Sequence, residues 1–233
     1  MVSLTNPEMA SVCEALSPER LAPYCAATKT RSDALDLYRL NLILCQLMYP
    51  SLNTFEITLR NAIDRVLSEH YGQEWLTNGQ FALQDYEREK VQASCRDLRN
   101  RNPTKHFPSQ AQLIADLPLG FWTTFFRKKS YDEIFWRPHS KQIFPHVARK
   151  KDRNIADIQA KLKKIQSLRN RVFHHEPIWK KHENLIYIVD DIYRLVGWIN
   201  PDVVAWMKEV DKFKKIYTDD LEDQLEKVIV SSD

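Results

Sequence analysis

Apolar side chains recur along most of this chain every three or four residues, the period of a helix with one buried face. Over residues 31–49 that spacing puts Leu35, Tyr38, Leu42, Cys45 and Tyr49 on one stripe. Pro50-Ser51 predicts a break and a restart, because a proline inside a helix removes one hydrogen bond and crowds the turn before it. Phe55, Leu59, Ile63 and Val66 then form the stripe of a further helix, which Gly72 ends. Upstream, Ser17-Pro18-Glu19 reads as a helix cap followed by proline at the first helical position. Residues 83–101 predict a polar, partly exposed helix stopped by Pro103. From Pro108 to Pro145 prolines cut the chain into short apolar and aromatic pieces, which predict short helices and turns.

The clearest helix runs from Asp152 to about His175, with Ile155, Ile158, Leu162, Ile165, Leu168 and Val172 facing inward. Pro177 limits it, since the residue before a proline is pushed out of helical geometry. Residues 181–199 predict a second buried helix through Leu185, Ile188, Val189, Ile192, Leu195, Val196 and Trp198. Asn200-Pro201 ends that helix and starts the next, and Asp219 to Val230 predicts a charged surface helix. The expected fold class is all-α, a single domain over 1–233 built as a helical bundle, with a long C-terminal helical pair at 152–199 and extra short helices.

Composition narrows the class further. With 233 residues, 43% hydrophobic and 28% charged, the chain can bury a core of its own, and wholesale disorder is excluded. Glycine is scarce, at 4, which argues against a β-rich fold full of glycine turns. Neither a Gly-x-Gly-x-x-Gly fingerprint nor a P-loop is present. Cys13, Cys25, Cys45 and Cys95 never form Cys-x-x-Cys, so a zinc ribbon and a disulfide scaffold are both disfavoured and reduced thiols are expected. The most apolar stretch, Leu40 to Tyr49, contains Asn41 and Gln46 and is too short to span a bilayer. The first residues carry Glu8 and Glu14 and lack the apolar core of a signal peptide. A cytoplasmic protein with no membrane partner is expected.

The net charge is only +3, but it is unevenly spread. Residues 1–120 hold 12 basic and 14 acidic side chains, residues 121–181 hold 16 and 5, and residues 182–233 hold 6 and 12. The middle segment is therefore +11 and the tail −6. Such a segment suits a polyanionic partner. A solvated basic face paired with the acidic tail explains the same numbers.

Unusual chemistry is concentrated where the two long helices join, in Leu168-Arg169-Asn170-Arg171-Val172-Phe173-His174-His175-Glu176-Pro177-Ile178-Trp179. Leu168, Val172 and Phe173 are expected to hold one side of this segment against the core. Asn170 and His174, four apart, share a helix face. The histidines sit at a helix C-terminus, where the dipole favours a protonated imidazole. Cleaving RNA without metal needs a base for the 2′-hydroxyl, an acid for the leaving oxygen and a cation for the charged phosphorus centre. Imidazole suits the first two roles, and the guanidinium fork suits the third. One copy offers few such groups; two copies across a two-fold axis complete a site more readily.

The segment Arg169-Asn170-x-x-x-His174 matches the Arg-x4–6-His motif of the HEPN superfamily. The whole run Leu168 to Ile178 resembles the C-terminal signature of Abi-like (abortive infection, AbiD/AbiF-type) bacterial proteins. Supporting text lies upstream: Leu21-Ala22-Pro23-Tyr24, Ala34 to Asn41, Phe55 to Ile63, Tyr71-Gly72-Gln73-Glu74-Trp75 and Leu117-Pro118-Leu119-Gly120-Phe121-Trp122. Together these cover about residues 17–200 and leave 201–233 as a charged helical C-terminal extension. The resemblance implies an HEPN-like helical bundle, a homodimer and metal-independent ribonuclease activity in phage defence. It implies Arg169 and His174 as the catalytic pair and Asn170 as the intervening polar residue. Arg101-Asn102-x-x-x-His106 fits the same spacing, but Pro103 interrupts it, so it reads as a coincidence.

Several neighbours are expected to assist. His175 is either a second acid–base group or a hydrogen-bond partner. Glu176, able only to accept, would orient an arginine or a histidine. Glu56 and Arg60, four apart on one helix, form either a surface ion pair or, as the resemblance implies, a pair that faces and orients 169–176. Arg171, Lys163, Lys164, Lys180 and Lys181, with Lys161, are expected to track a phosphate backbone or else to form a solvated face. Of Trp75, Trp122, Trp136, Trp179, Trp198 and Trp206, most are expected in the core, with about one free to stack on a base. No metal and no cofactor are expected: His174, His175 and His182 lack a zinc motif, and the arginines beside them would repel a cation. The partners expected are RNA, a second copy of the chain, and an antitoxin or phage-derived trigger. The alternatives to a nuclease are a non-catalytic RNA-binding module and an interaction protein of toxin–antitoxin or phage-sensing type.

Overall fold

The computed structural model describes residues 5–101 and 107–229, apart from the side chains of Lys128, Lys150 and Lys181. The chain is all-α; no strand occurs among the described residues. After α1 (Asn6–Leu16), α2 (Pro18–Cys25) begins where Ser17 Oγ accepts the Arg20 amide and Pro18 occupies the first turn. Then follow α3 (Arg31–Tyr71), α4 (Asp85–Arg101), α5 (Gln110–Asp116) and α6 (Leu119–Thr124). A π turn (Asp132–Trp136) joins α7 (Lys128–Tyr131) to α8 (Arg137–Ile143). The long pair is α9 (Ile155–Phe173) and α10 (Glu183–Ile199), followed by α11 (Pro201–Val210) and α12 (Phe213–Ile216). A second π turn (Tyr217–Leu221) leads into α13 (Glu222–Val228).

The inward stripe of α9 is as expected, with all six of its apolar positions buried. On α10, Leu185, Val189, Ile192, Leu195 and Val196 are buried, while Ile188 and Trp198 are half-buried. Asn200 caps α11 by accepting the Asp202 amide at 2.9 Å.

Three expectations need correction. The helix does not break at Pro50, which lies inside α3. A proline there costs about 3 kcal/mol. The stripe Leu44, Met48, Leu52, Phe55 and Leu59 keeps its register across the proline, and every member is buried. Each such side chain contributes roughly 1.5–3 kcal/mol, so continuity wins. The buried face of the first half is also rotated from the expected one. Ala34, Leu37, Leu40, Leu44 and Met48 are inside, whereas Leu42 and Tyr49 are about half exposed. Between Leu40 and Tyr49 nearly every side is apolar, so spacing alone selects no face. Finally, the stretch after Asp219 is not only a charged surface: Leu221 and Leu225 are buried.

The contacts separate into two compact units, a finer division than the single domain read from the sequence. The first holds the described parts of Met1–Pro50, Leu168–Tyr187 and Lys208–Asp233. Within it Tyr24 packs edge-on to Tyr38 and against Trp179, and Phe213 stacks on Tyr217. The second holds Ser51–Ser167, in its described parts, and Ile188–Met207. Its core is aromatic: Phe125, fully buried, lies 5.0–6.0 Å from the ring centroids of Trp75, Phe81, Phe121, Tyr131 and Phe135.

Candidate functional site

The C-terminal end of α9 carries Arg169 and Asn170, and the turn that follows it carries His174 and His175, all within the first unit. Leu168 and Val172 anchor this turn in the core. The helix then ends in two overlapping bonds: the His175 amide donates to Val172 O at 3.3 Å, and the Glu176 amide donates to Arg171 O at 2.8 Å. This pair of bonds is the Schellman ending, which requires a left-handed residue between helix and exit. Glycine is usual there. Here His175 takes the position, with φ +58°, at a cost of about 1–2 kcal/mol for an L residue.

The bend persists because neighbours tie down its backbone. Arg20 of α2 donates through Nη1 to His175 O. Arg171 donates through Nη2 to Pro177 O and places Nε 3.7 Å from Glu176 Oε2. The Ile178 amide donates to Asn41 Oδ1 at 2.7 Å, and Asn41 is only 2% exposed. Ile178 and Trp179 are themselves buried. Three side chains thus satisfy backbone polar groups of the non-helical exit from the helix.

What this rigid bend displays is polar and open. Asn170, His174, His175 and Glu176 are exposed. Among the described residues the Asn170 carboxamide and both imidazoles make no hydrogen bond. Arg169 is half-buried, with its guanidinium carbon 4.5 Å from the Phe173 ring centroid, a cation–π distance. Phe173, expected in the core, is 40% exposed. It lies one residue past the buried stripe, against Tyr49 at 5.9 Å between ring centroids, and Tyr49 is also exposed.

The other predicted residues divide between the two units. Lys180 is exposed in the first unit, with its ammonium 5.8 Å from the Trp179 ring centroid. The side chain of Lys181 lies outside the described residues, as does the second motif copy from Asn102 to His106. Lys163 and Lys164 are exposed on the part of α9 that belongs to the second unit. Lys161 is committed elsewhere, 2.8 Å from Asp191 of α10. Arg171 is engaged inside the bend, on Pro177 and Glu176. Glu56 and Arg60 lie on α3 in the second unit, where Arg60 donates to Ala115 O near the end of α5. His182 pairs through Nδ1 with the Tyr217 hydroxyl at 2.7 Å. Among the described residues no group of three or more His, Cys, Asp or Glu side chains is placed to hold a metal ion. No helix described is long and apolar enough to cross a membrane.

Sequence reasoning missed Asn41, Arg20 and Tyr49. Asn41 had a signal, a carboxamide inside the most apolar stretch of the chain, where a polar group persists when it has a buried partner. Arg20 had none, since its partner is 155 positions away. Compared with known proteins, the chain matches no protein-family model, no curated protein and no solved structure.

Proposed function

We propose that the protein is a metal-independent RNA endonuclease of HEPN type. In this reading it acts as a homodimer in bacterial abortive-infection phage defence. The observation that carries the reading is the presence of Arg169 and Asn170 at the end of α9 and of His174 just past it, in a bend fixed by Asn41, Arg20 and Arg171. Fixed, exposed acid–base groups are what metal-free phosphodiester cleavage requires.

His174 takes the proton from the 2′-hydroxyl, Arg169 holds the scissile phosphate, and Asn170 orients one of them. The attacking oxygen bonds to phosphorus and the 5′-oxygen leaves with a proton. The products are a 2′,3′-cyclic phosphate and a 5′-hydroxyl. A second copy of the bend supplies the remaining acid or base. The exposed apolar residues Leu42, Tyr49 and Phe173 support coverage of this face by that copy. The exposed basic residues Lys163 and Lys164 of the second unit and Lys180 of the first each support contact with phosphate.

The test is cleavage of RNA by the purified full chain in the presence of EDTA, with the product ends identified. His174→Ala and Arg169→Ala are expected to lose activity a hundredfold or more while melting at the wild-type temperature. Cleavage that both variants retain, or that EDTA abolishes, refutes the assignment. Binding with no cleavage by the wild type assigns the chain as a non-catalytic RNA-binding module.

A further inference from the structure

Within the second unit a groove of about 530 Å³ runs between α3 and the α10–α11 junction. That volume falls in the range of small-ligand clefts, roughly 300–1,000 Å³. One wall is a single face of α3 that presents Asn53, Thr54, Thr58, Asn61 and Arg65. The opposite wall carries Trp206.

Two features set this groove apart. Trp206 is 56% exposed, whereas Trp75, Trp122, Trp136 and Trp179 are buried and Trp198 is half-buried. It is the tryptophan that packing does not claim. The polar wall is also unspent. Asn53, Thr54 and Thr58 are half-buried and Asn61 is exposed, and among the described residues none of their side chains makes a hydrogen bond. Arg65 donates through Nη2 to Gln142 O at 3.2 Å and holds Nη1 3.8 Å from Glu69 Oε1, a solvent-exposed ion pair of the weak kind that an anionic ligand can displace.

The wall chemistry decides the occupant. Ile57, Ala62, Ile199 and Val203 also line the groove and suit a flat apolar face, but an apolar helix or an acyl chain would strip water from the carboxamides and hydroxyls without replacing their hydrogen bonds. A neutral sugar would satisfy them but carries no anion to exchange with Glu69 on Arg65. A carboxamide offers a donor beside an acceptor, which matches the edge of a nucleobase. An exposed indole takes the face of that base, and a guanidinium takes its phosphate. We infer that this groove binds one ribonucleotide, with its base on Trp206, its base edge on Asn53 and Asn61, and its phosphate on Arg65. The inference goes beyond the cleavage reading and stands whether or not the chain cuts RNA. Its ligand is either a free mononucleotide or one nucleotide of an RNA strand.

The experiment uses the full chain labelled with 5-fluorotryptophan and read by fluorine NMR, with the Trp206 signal assigned from Trp206→Phe. The probes are the four nucleoside 5′-monophosphates, single-stranded oligo(A) and oligo(U), and ribose 5-phosphate. Saturable movement of the Trp206 signal by a mononucleotide identifies a free-nucleotide site. Movement by an oligonucleotide alone identifies a site for a strand. Asn61→Ala, read on the same signal, and Trp206→Ala, read against the wild type by calorimetric titration with the same nucleotide, are each expected to weaken binding about five- to a hundredfold, Trp206→Ala by the greater factor. The inference is overturned if no nucleotide moves the signal, if ribose 5-phosphate moves it equally, or if Trp206→Ala binds like the wild type. It is overturned equally if only dilution of the protein moves the signal, because that marks the groove as a contact between copies.

Discussion

Around Phe125, in the second unit, five aromatic rings have their centroids within 6.0 Å, and all of them are buried. Around His175, in the first unit, the backbone is held in a costly conformation and the ionisable side chains point outward. One region stores stability in burial. The other spends part of it to fix a helix end that displays imidazole, carboxamide and carboxylate. Functional chemistry in this chain is therefore sought where hydrogen bonds from distant residues immobilise the backbone, not where packing is densest.

The contrast can be broken first in the aromatic core. Phe125→Ala empties the centre of the ring cluster and is expected to cost about 3–5 kcal/mol, read as a fall in the denaturant midpoint. A cost near zero would mean that the cluster relaxes around the gap and is not the second unit's main store of stability. Next comes the clamp. Asn41→Ala leaves the buried Ile178 amide without an acceptor and is expected to cost about 1–3 kcal/mol. If RNA cleavage is established, the same variant is expected to lower it with the catalytic side chains intact, which measures how far the fixed bend serves activity.

His175→Gly sharpens the comparison with the opposite sign. Removing the Cβ from a left-handed position relieves about 1 kcal/mol of strain, offset in part by the greater freedom of glycine in the unfolded chain. A small gain in melting temperature is expected. Unchanged cleavage in that variant reduces His175 to a structural role, and a loss makes it a participant.

The smallest effect is in pH. His139, 3% exposed in the second unit, has its pKa pushed below the ordinary 6.5, chiefly by burial and also by the nearby His70, against a raising hydrogen bond from Gln142. The other charged or titratable groups on α8 and on the last two turns of α3 are Arg137, Lys141, Asp64, Arg65, Glu69 and Tyr71. Above pH 6.5 both folded and unfolded forms are neutral and stability is full. Below it the unfolded chain takes up a proton that the folded chain refuses until its own lower pKa is reached, so stability falls through that interval. Thermal melts from pH 7.5 to 5.5 are expected to decline less in His139→Asn than in the wild type.

How much of this was legible depended on how many faces of a segment were apolar. The stripe of α9 was unambiguous because polar residues fill the rest of its circumference, and the same held for most of α10. Residues 40–49 of α3 have no such contrast, so their spacing indicated the wrong face and Leu42 and Tyr49 proved exposed. Pro50 misled because a local rule was outweighed by a register that continues on both sides. Phe173 was read as core from its hydrophobicity, although the buried stripe had already ended at Val172. The ionisable residues of the bend could be picked out by eye, but their support could not. Asn41 and Arg20 reach the bend across 137 and 155 positions. A left-handed histidine carries none of the glycine signal that normally announces such an ending.

The bond between Asn41 and the Ile178 amide has a practical consequence. That amide proton is held by a side chain from another helix and not by a backbone carbonyl. Its rate of deuterium exchange therefore measures how often the two segments part. A single resonance can report whether the display surface is intact in any variant, before its activity has been assayed.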